Sequence, residues 1–192
     1  MNTKEKIQFE SMKLFANEEY ETASLSKIAD KVGISKSTIY SHYQRKEKIY
    51  LDVFKNIINK QKSMIMDDYS NDKDVEANLY DNFIKFSFIW SDNNIENKLY
   101  NKALLFPPSV LEEKIWEMIH NNEKEVFNII KEVFKKAQEQ NLIKQNLNLE
   151  NITLTYNNLI NGNSIQYPYL SKNQFKSMIE TSWTIFWNGI KN

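Results

Sequence analysis

Residues 24–43 read SLSKIADKVGISKSTIYSHY. Two short helical stretches flank the tripeptide Val32-Gly33-Ile34. Ser24 stands where a side-chain oxygen caps a helix over Leu25 to Lys31, and Ser35 does the same for Lys36 to His42. Ile28 and Ala29 fall on the inner face of the first stretch, and small Ala29 lets two helices cross closely. Gly33 is free to take the positive φ that a tight turn demands. Ile34 and Ile39 pin the second stretch to a core. Lys36, Ser37, Thr38, Tyr40, Ser41 and His42 are then left pointing outward. Two helices joined by a glycine turn, the second polar on its outer face, have helix-turn-helix spacing. A helix of that size fits the DNA major groove, where bases are read by hydrogen bonds and methyl contacts.

Outward from this stretch, apolar residues recur with helical period. Ile7, Met12, Leu14 and Phe15 predict an amphipathic helix over about 3–18. A long helix is expected over about 46–69, carrying Ile49, Tyr50, Val53, Phe54, Ile57 and Ile58. Further helices are expected near 74–91, 94–104, 110–141, 149–163 and 172–190. Leu79, Phe83, Phe86 and Trp90 share one face of the fifth, while Tyr80, Ile84 and Phe88 occupy another. A helix apolar on two faces is a buried, central one. Only three glycines and three prolines occur in 192 residues, too few for the turns of a sandwich or barrel. The expected fold is all-α with about nine helices. A three-helix DNA-binding domain covers 1–46, and a larger helical effector-binding and dimerisation domain covers 47–192.

Composition removes most catalytic chemistry. Without cysteine there are no disulfides, thiolate nucleophiles or cysteine-ligated metals. Glu117, His120 and Glu123 share a helix face, but they read as a helix histidine beside acids, so no metal site and no cofactor is expected. No nucleophile–base arrangement or clustered glycine loop is present, so an enzyme is not expected. No apolar run is long enough to span a bilayer, and no signal peptide is seen, so a cytoplasmic protein without membrane contact is expected. Charge is balanced at 25 basic and 25 acidic residues. Within 31–48, however, Lys31, Lys36, Arg45, Lys46 and Lys48 face Glu47 alone, a local patch suited to a polyanion.

The stretch from Phe15 through Tyr20 and on to Ile49 resembles the TetR family of bacterial transcriptional regulators. The matching positions are Leu14-Phe15, Tyr20, Ile28-Ala29, Val32-Gly33-Ile34-Ser35-Lys36, Thr38-Ile39-Tyr40, His42-Tyr43 and Lys46-Glu47. Two positions depart from the pattern: Glu19 replaces the usual glycine before the tyrosine, and Ala23 replaces a frequent threonine. The resemblance implies that Lys36, Ser37, Tyr40 and Ser41 face bases or the groove floor. It implies that Thr38, His42 and Lys46 hold phosphates, with Ser24 assisting at the start of the second helix.

The resemblance further implies a homodimeric repressor on a near-palindromic double-stranded operator, released by a small hydrophobic effector. The dimer surface is expected on the last two helices, at Leu159, Phe175, Ile179, Trp183, Phe186, Trp187 and Ile190. The effector cavity is expected among Phe83, Phe86, Trp90, Tyr100, Phe106, Trp116, Ile119, Phe127, Tyr156 and Asn157. Arg45 is the single arginine, and it lies in the DNA-binding segment. Beyond it no planar bidentate grip on a carboxylate or phosphate exists, which favours a neutral or cationic lipophile. Two alternatives stay open: an activator of the same fold, and a helical enzyme or scaffold that does not bind DNA.

Overall fold

The computed structural model describes residues 1–69, 74–89 and 94–192. Among these the chain forms α1 (Thr3–Asn17), α2 (Leu25–Val32), α3 (Lys36–His42), α4 (Lys46–Tyr69), α5 (Val75–Ile89), α6 (Ile95–Leu105), α7 (Glu112–Glu139), α8 (Leu149–Gln166) and α9 (Lys172–Ile190). A single 3-10 turn, Tyr167–Tyr169, follows α8. No strand is present among the described residues; pairing is limited to an isolated bridge between Ile143 and Lys191. The all-α reading holds, and helix ends fall within two residues of those expected, apart from the end of α8, which runs to Gln166 rather than stopping near 163.

Local chemistry explains the starts. Asn2 and Glu5 form a reciprocal capping box on α1, and Ser171 with Gln174 forms one on α9. Asn94 and Asn148 accept from backbone amides three residues on, at 2.8 and 3.1 Å, and so cap α6 and α8.

The chain divides into two compact units, Met1–Gln61 with Asn93–Asn121, and Lys62–Asp92 with Asn122–Asn192. Two of the three boundaries fall inside helices, α4 and α7. In the first unit α1 packs on α2 and α6, and α2 on α3. An aromatic file runs through its core: Phe15 to Tyr50 at 5.0 Å, Tyr50 to Phe54 at 6.5 Å, and Phe54 to Tyr100 at 5.7 Å between ring centres. Lys102 Nζ donates to the Glu18 carbonyl at 2.7 Å and Lys98 Nζ to Asn17 Oδ1 at 2.7 Å, which ties α6 to the end of α1.

In the second unit α5 packs against α8 and α9. Phe83, Phe134, Tyr156, Trp183 and Phe186 form its centre. The Tyr156 hydroxyl donates to the Leu79 carbonyl at 2.8 Å, so this buried phenol meets its polar requirement inside the core. Asn192 and Lys144 close the C-terminus onto the 142–144 segment, through Asn192 N–H to Leu142 O at 3.2 Å and Lys144 N–H to Ile190 O at 2.9 Å. Among the described residues no helix is long and apolar enough to cross a membrane.

Candidate nucleic-acid interface

The α2–α3 corner is built by its caps and its buried aliphatics. Ser24 Oγ accepts from Lys27 N–H at 3.2 Å, and Ser35 Oγ accepts from Thr38 N–H at 3.1 Å. Gly33 ends α2 at φ 75° and ψ 35°, and its N–H donates to the Ala29 carbonyl at 2.9 Å. Ile34 N–H reaches the same carbonyl at 3.1 Å. This left-handed closure turns the chain sharply enough for α3 to cross α2. Ile28, Ala29 and Ile39 are buried at the crossing. Ile34 is half-buried.

The same geometry sets the outer face. Lys36, Ser37, Tyr40, Ser41 and His42 are exposed, and Thr38 is half-buried. Tyr40 is 50% exposed, a large aromatic held in solvent on a seven-residue helix. The hydroxyls beside it are already ordered. Ser35 Oγ lies 2.7 Å from Ser37 Oγ and 2.8 Å from Thr38 Oγ1, and Ser41 Oγ donates to the Thr38 carbonyl at 2.7 Å. Ser24 is exposed at the start of α2. Gln8 Nε2 donates to the Tyr43 hydroxyl at 2.8 Å, fixing the end of α3 to α1. Burial pushes the Tyr43 phenol up, against the smaller opposing pull of that hydrogen bond.

Lys46 differs from the other basic positions. It is half-buried, its Nζ donates to the Tyr20 carbonyl, and it lies over the Tyr20 ring. Desolvation lowers its pKa, partly offset by Glu21 and Glu47. Glu18 is held below the usual carboxylate range by its hydrogen bond and ion pair with Lys27, at 2.9 Å. At the two departures from the family pattern, Ala23 is fully buried, while the Glu19 carbonyl accepts from the Thr22 hydroxyl at 2.9 Å. Arg45, exposed just beyond α3, was not among the site residues expected from sequence. The cation excess over 31–48 is the signal that marks it.

Nine of the ten residues expected around an effector are described, and they are distributed over both units. Phe83 and Tyr156 are buried in the second, with ring centres 5.5 Å apart. Phe86, Phe127 and Asn157 are half-buried there. Tyr100 and Ile119 are buried in the first unit, Tyr100 stacked on Phe54. Phe106 is 76% exposed, and Trp116 is exposed with Nε1 3.4 Å from Glu112 Oε1. Trp90 lies outside the described residues. Of the residues expected at a dimer surface, Phe175, Ile179, Trp183, Phe186, Trp187 and Ile190 are buried within the chain, and Leu159 is half-buried. Trp183 and Trp187 stack on each other at 5.3 Å and 11°. One turn apart on α9, they face inward and complete the core of their own unit. The exposed apolar side chains of these helices are instead Leu154, Ile165 and Ile185.

Residues 10–53 match the family described as bacterial regulatory proteins, tetR family. The biofilm operon icaADBC HTH-type negative transcriptional regulator IcaR of Staphylococcus epidermidis is 28% identical over 110 residues, covering 57% of this chain and 58% of IcaR. The match therefore spans little more than half of that relative's length. A TetR transcription regulator from Haloarcula marismortui superposes with a TM-score of 0.78 at 16% identity, over 99% of this chain and 98% of that one. FadR from Bacillus subtilis, in complex with stearoyl-CoA, superposes with a TM-score of 0.73 at 18% identity, over 97% and 98% of the two chains. At these identities the structural likeness is one of fold. The glycine-closed helix-turn-helix coincides with the matched segment: residues 10–53 are similar to the tetR family of bacterial regulatory proteins, and the helices of the described residues share the fold of the solved regulators.

Proposed function

We propose that this protein is a transcriptional repressor that binds a near-palindromic operator as a homodimer and leaves it when a small ligand binds. The observation that carries the reading is the outer face of α3. It presents Lys36, Ser37, Tyr40 and Ser41 to solvent while Ile39 anchors it from beneath. Residues 1–46 read DNA, and 47–192 bind effector and dimerise. Ser24, Thr38, His42 and Lys46 hold phosphates around the α3 face. Repression rather than activation follows IcaR, named a negative regulator. Dimerisation is required because one short helix reads too few bases. Its surface is the outer side of α8 and α9, where Leu154 and Ile185 are 52% and 69% exposed.

The effector is a neutral or cationic lipophile. Buried polar side chains of the second unit, among the described residues, are neutral amides and hydroxyls: Asn78, Asn82, Ser87, Asn122, Thr153, Asn163 and Ser164. An interior without buried lysine or arginine suits an uncharged ligand body better than a phosphorylated one. Operator binding tests the reading: a duplex from upstream of its own gene should be retarded by the protein and released by a lipophile. Release by acyl-coenzyme A esters alone would instead align it with the ligand of the FadR complex.

A further inference from the structure

The sequence concentrates cations between Lys31 and Lys48, and the fold adds one from far along the chain. In the first unit His42, Arg45 and Lys48 line an open groove of about 640 Å³, and Lys114 from the first turn of α7 lines it too. Glu47 is the acid on its walls. Lys48 Nζ is 2.8 Å from Asp52, whereas no ion pair among the described residues involves Arg45 or Lys114. Both are exposed. Lys114 is not placed there by a loose loop. Leu111 and Ile115, one turn apart, are 2% and 0% exposed and anchor the first turn of α7 in the unit's core. Leu111 N–H also donates to the Pro108 carbonyl at 2.8 Å, fixing the entry to the helix. A concave surface where cations outnumber acids, here Arg45, Lys48 and Lys114 against Glu47, concentrates a positive potential and gathers counter-charge.

We propose that this groove seats the sugar–phosphate backbone of the operator beyond the bases that α3 reads, with Lys114 and Arg45 as its phosphate contacts. The proposal rests on the DNA-binding reading and adds a contact from α7, outside the helix-turn-helix. The guanidinium of Arg45 suits a bidentate phosphate grip and Lys114 a point-charge contact. His42, at the end of α3, joins the groove to the base-reading face. Both contacts are blind to sequence, so they add affinity to every duplex and steepen its salt dependence.

The test is fluorescence anisotropy on the duplex from upstream of the gene and on a scrambled duplex, across a salt series. The proteins are the full chain, Lys114→Gln, Arg45→Gln and, as a control, Lys124→Gln from the exposed face of α7. Lys114→Gln and Arg45→Gln should each weaken both duplexes about three- to tenfold and lower the slope of log K against log salt by about 0.9. Their melting temperatures and the Lys124→Gln affinity should stay at wild-type values. Wild-type affinity and slope in Lys114→Gln, with the unmodified protein binding DNA, would overturn the proposal alone. Failure of the unmodified protein to bind either duplex would overturn the DNA-binding reading with it. Inorganic pyrophosphate bound through Arg45 and Lys114, with operator slopes unchanged, would identify a small-anion site and also overturn the proposal.

Discussion

The Lys46 ammonium lies 4.0 Å from the centre of the Tyr20 ring and donates a hydrogen bond to the Tyr20 carbonyl. One cation thus clamps the α1–α2 connection onto the start of α4. A charged hydrogen bond together with a partly desolvated cation–π contact contributes about 1–3 kcal/mol. Lys46→Ala should therefore lower the melting temperature by several degrees as well as weaken DNA binding. Thermal melts beside binding titrations separate the two effects. A variant that loses DNA affinity at unchanged melting temperature would leave Lys46 with a phosphate role alone.

The same tyrosine makes the fold sensitive to high pH. Its hydroxyl is buried without a partner, and burial pushes its pKa up to about 12. In the unfolded chain a tyrosine ionises near 10. Between those values the unfolded state releases a proton that the folded state keeps, so stability intact below pH 10 is lost as pH rises through 12. Burial pushes Tyr50 the same way. Tyr20→Phe removes one of these groups and no hydrogen bond. Its melting temperature should match or exceed wild type at pH 7 and fall less between pH 10 and 12. An equal fall in both proteins would show that Tyr20 is not a source of the effect.

Gly33 carries the turn. A Cβ there would meet nothing within 4 Å, so the cost of Gly33→Ala is conformational, set by φ at +75°. That cost is about 1–2 kcal/mol. Calorimetry should show a modest loss of stability, and the operator affinity should fall further because α3 is re-aimed. Unchanged operator affinity would mean that the corner tolerates a different closure.

Ile185 and Trp183 lie two positions apart on α9 but differ in what a charge would do. Ile185 is 69% exposed, and it lines a shallow groove with Met178 and Thr181. Ile185→Glu should give a folded chain that sediments as a monomer. Trp183 is 7% exposed between Phe83, Phe186 and Trp187. Trp183→Glu would bury an unpaired carboxylate in that core, at a cost of more than about 3 kcal/mol, and should unfold the second unit. Circular dichroism with sedimentation distinguishes these outcomes. A folded monomer from Trp183→Glu would return the interface to the inner face.

Helices were legible because period and caps are local. Ser24, Ser35 and Ser171 each precede an apolar-periodic run, and each caps a helix. The α2–α3 corner was legible for the same reason, with Gly33 between two short runs. What periodicity does not carry is which element a face meets. Trp183 and Trp187 mark an apolar face of α9, but nothing in their spacing tells whether a second chain or α5 covers it. Tyr100 and Phe83 both read as central aromatics. They fall in different units because α6 packs on α1, through Lys98 and Lys102 reaching more than eighty residues back along the chain. The hold of Lys46 on Tyr20 was invisible for the same reason.

Tyr40 offers the most direct measurement. Half exposed on the outer face of α3, it contributes little to the fold and, in a base-reading helix, much to site choice. Affinities of wild type and Tyr40→Ala should be measured on the upstream duplex and on a scrambled duplex at one salt concentration. The wild-type protein should prefer the upstream duplex strongly, and Tyr40→Ala should lose much of that preference while keeping its melting temperature and its scrambled-duplex affinity. Equal wild-type affinity for the two duplexes, or an undiminished preference in Tyr40→Ala, would contradict α3 as the element that reads sequence.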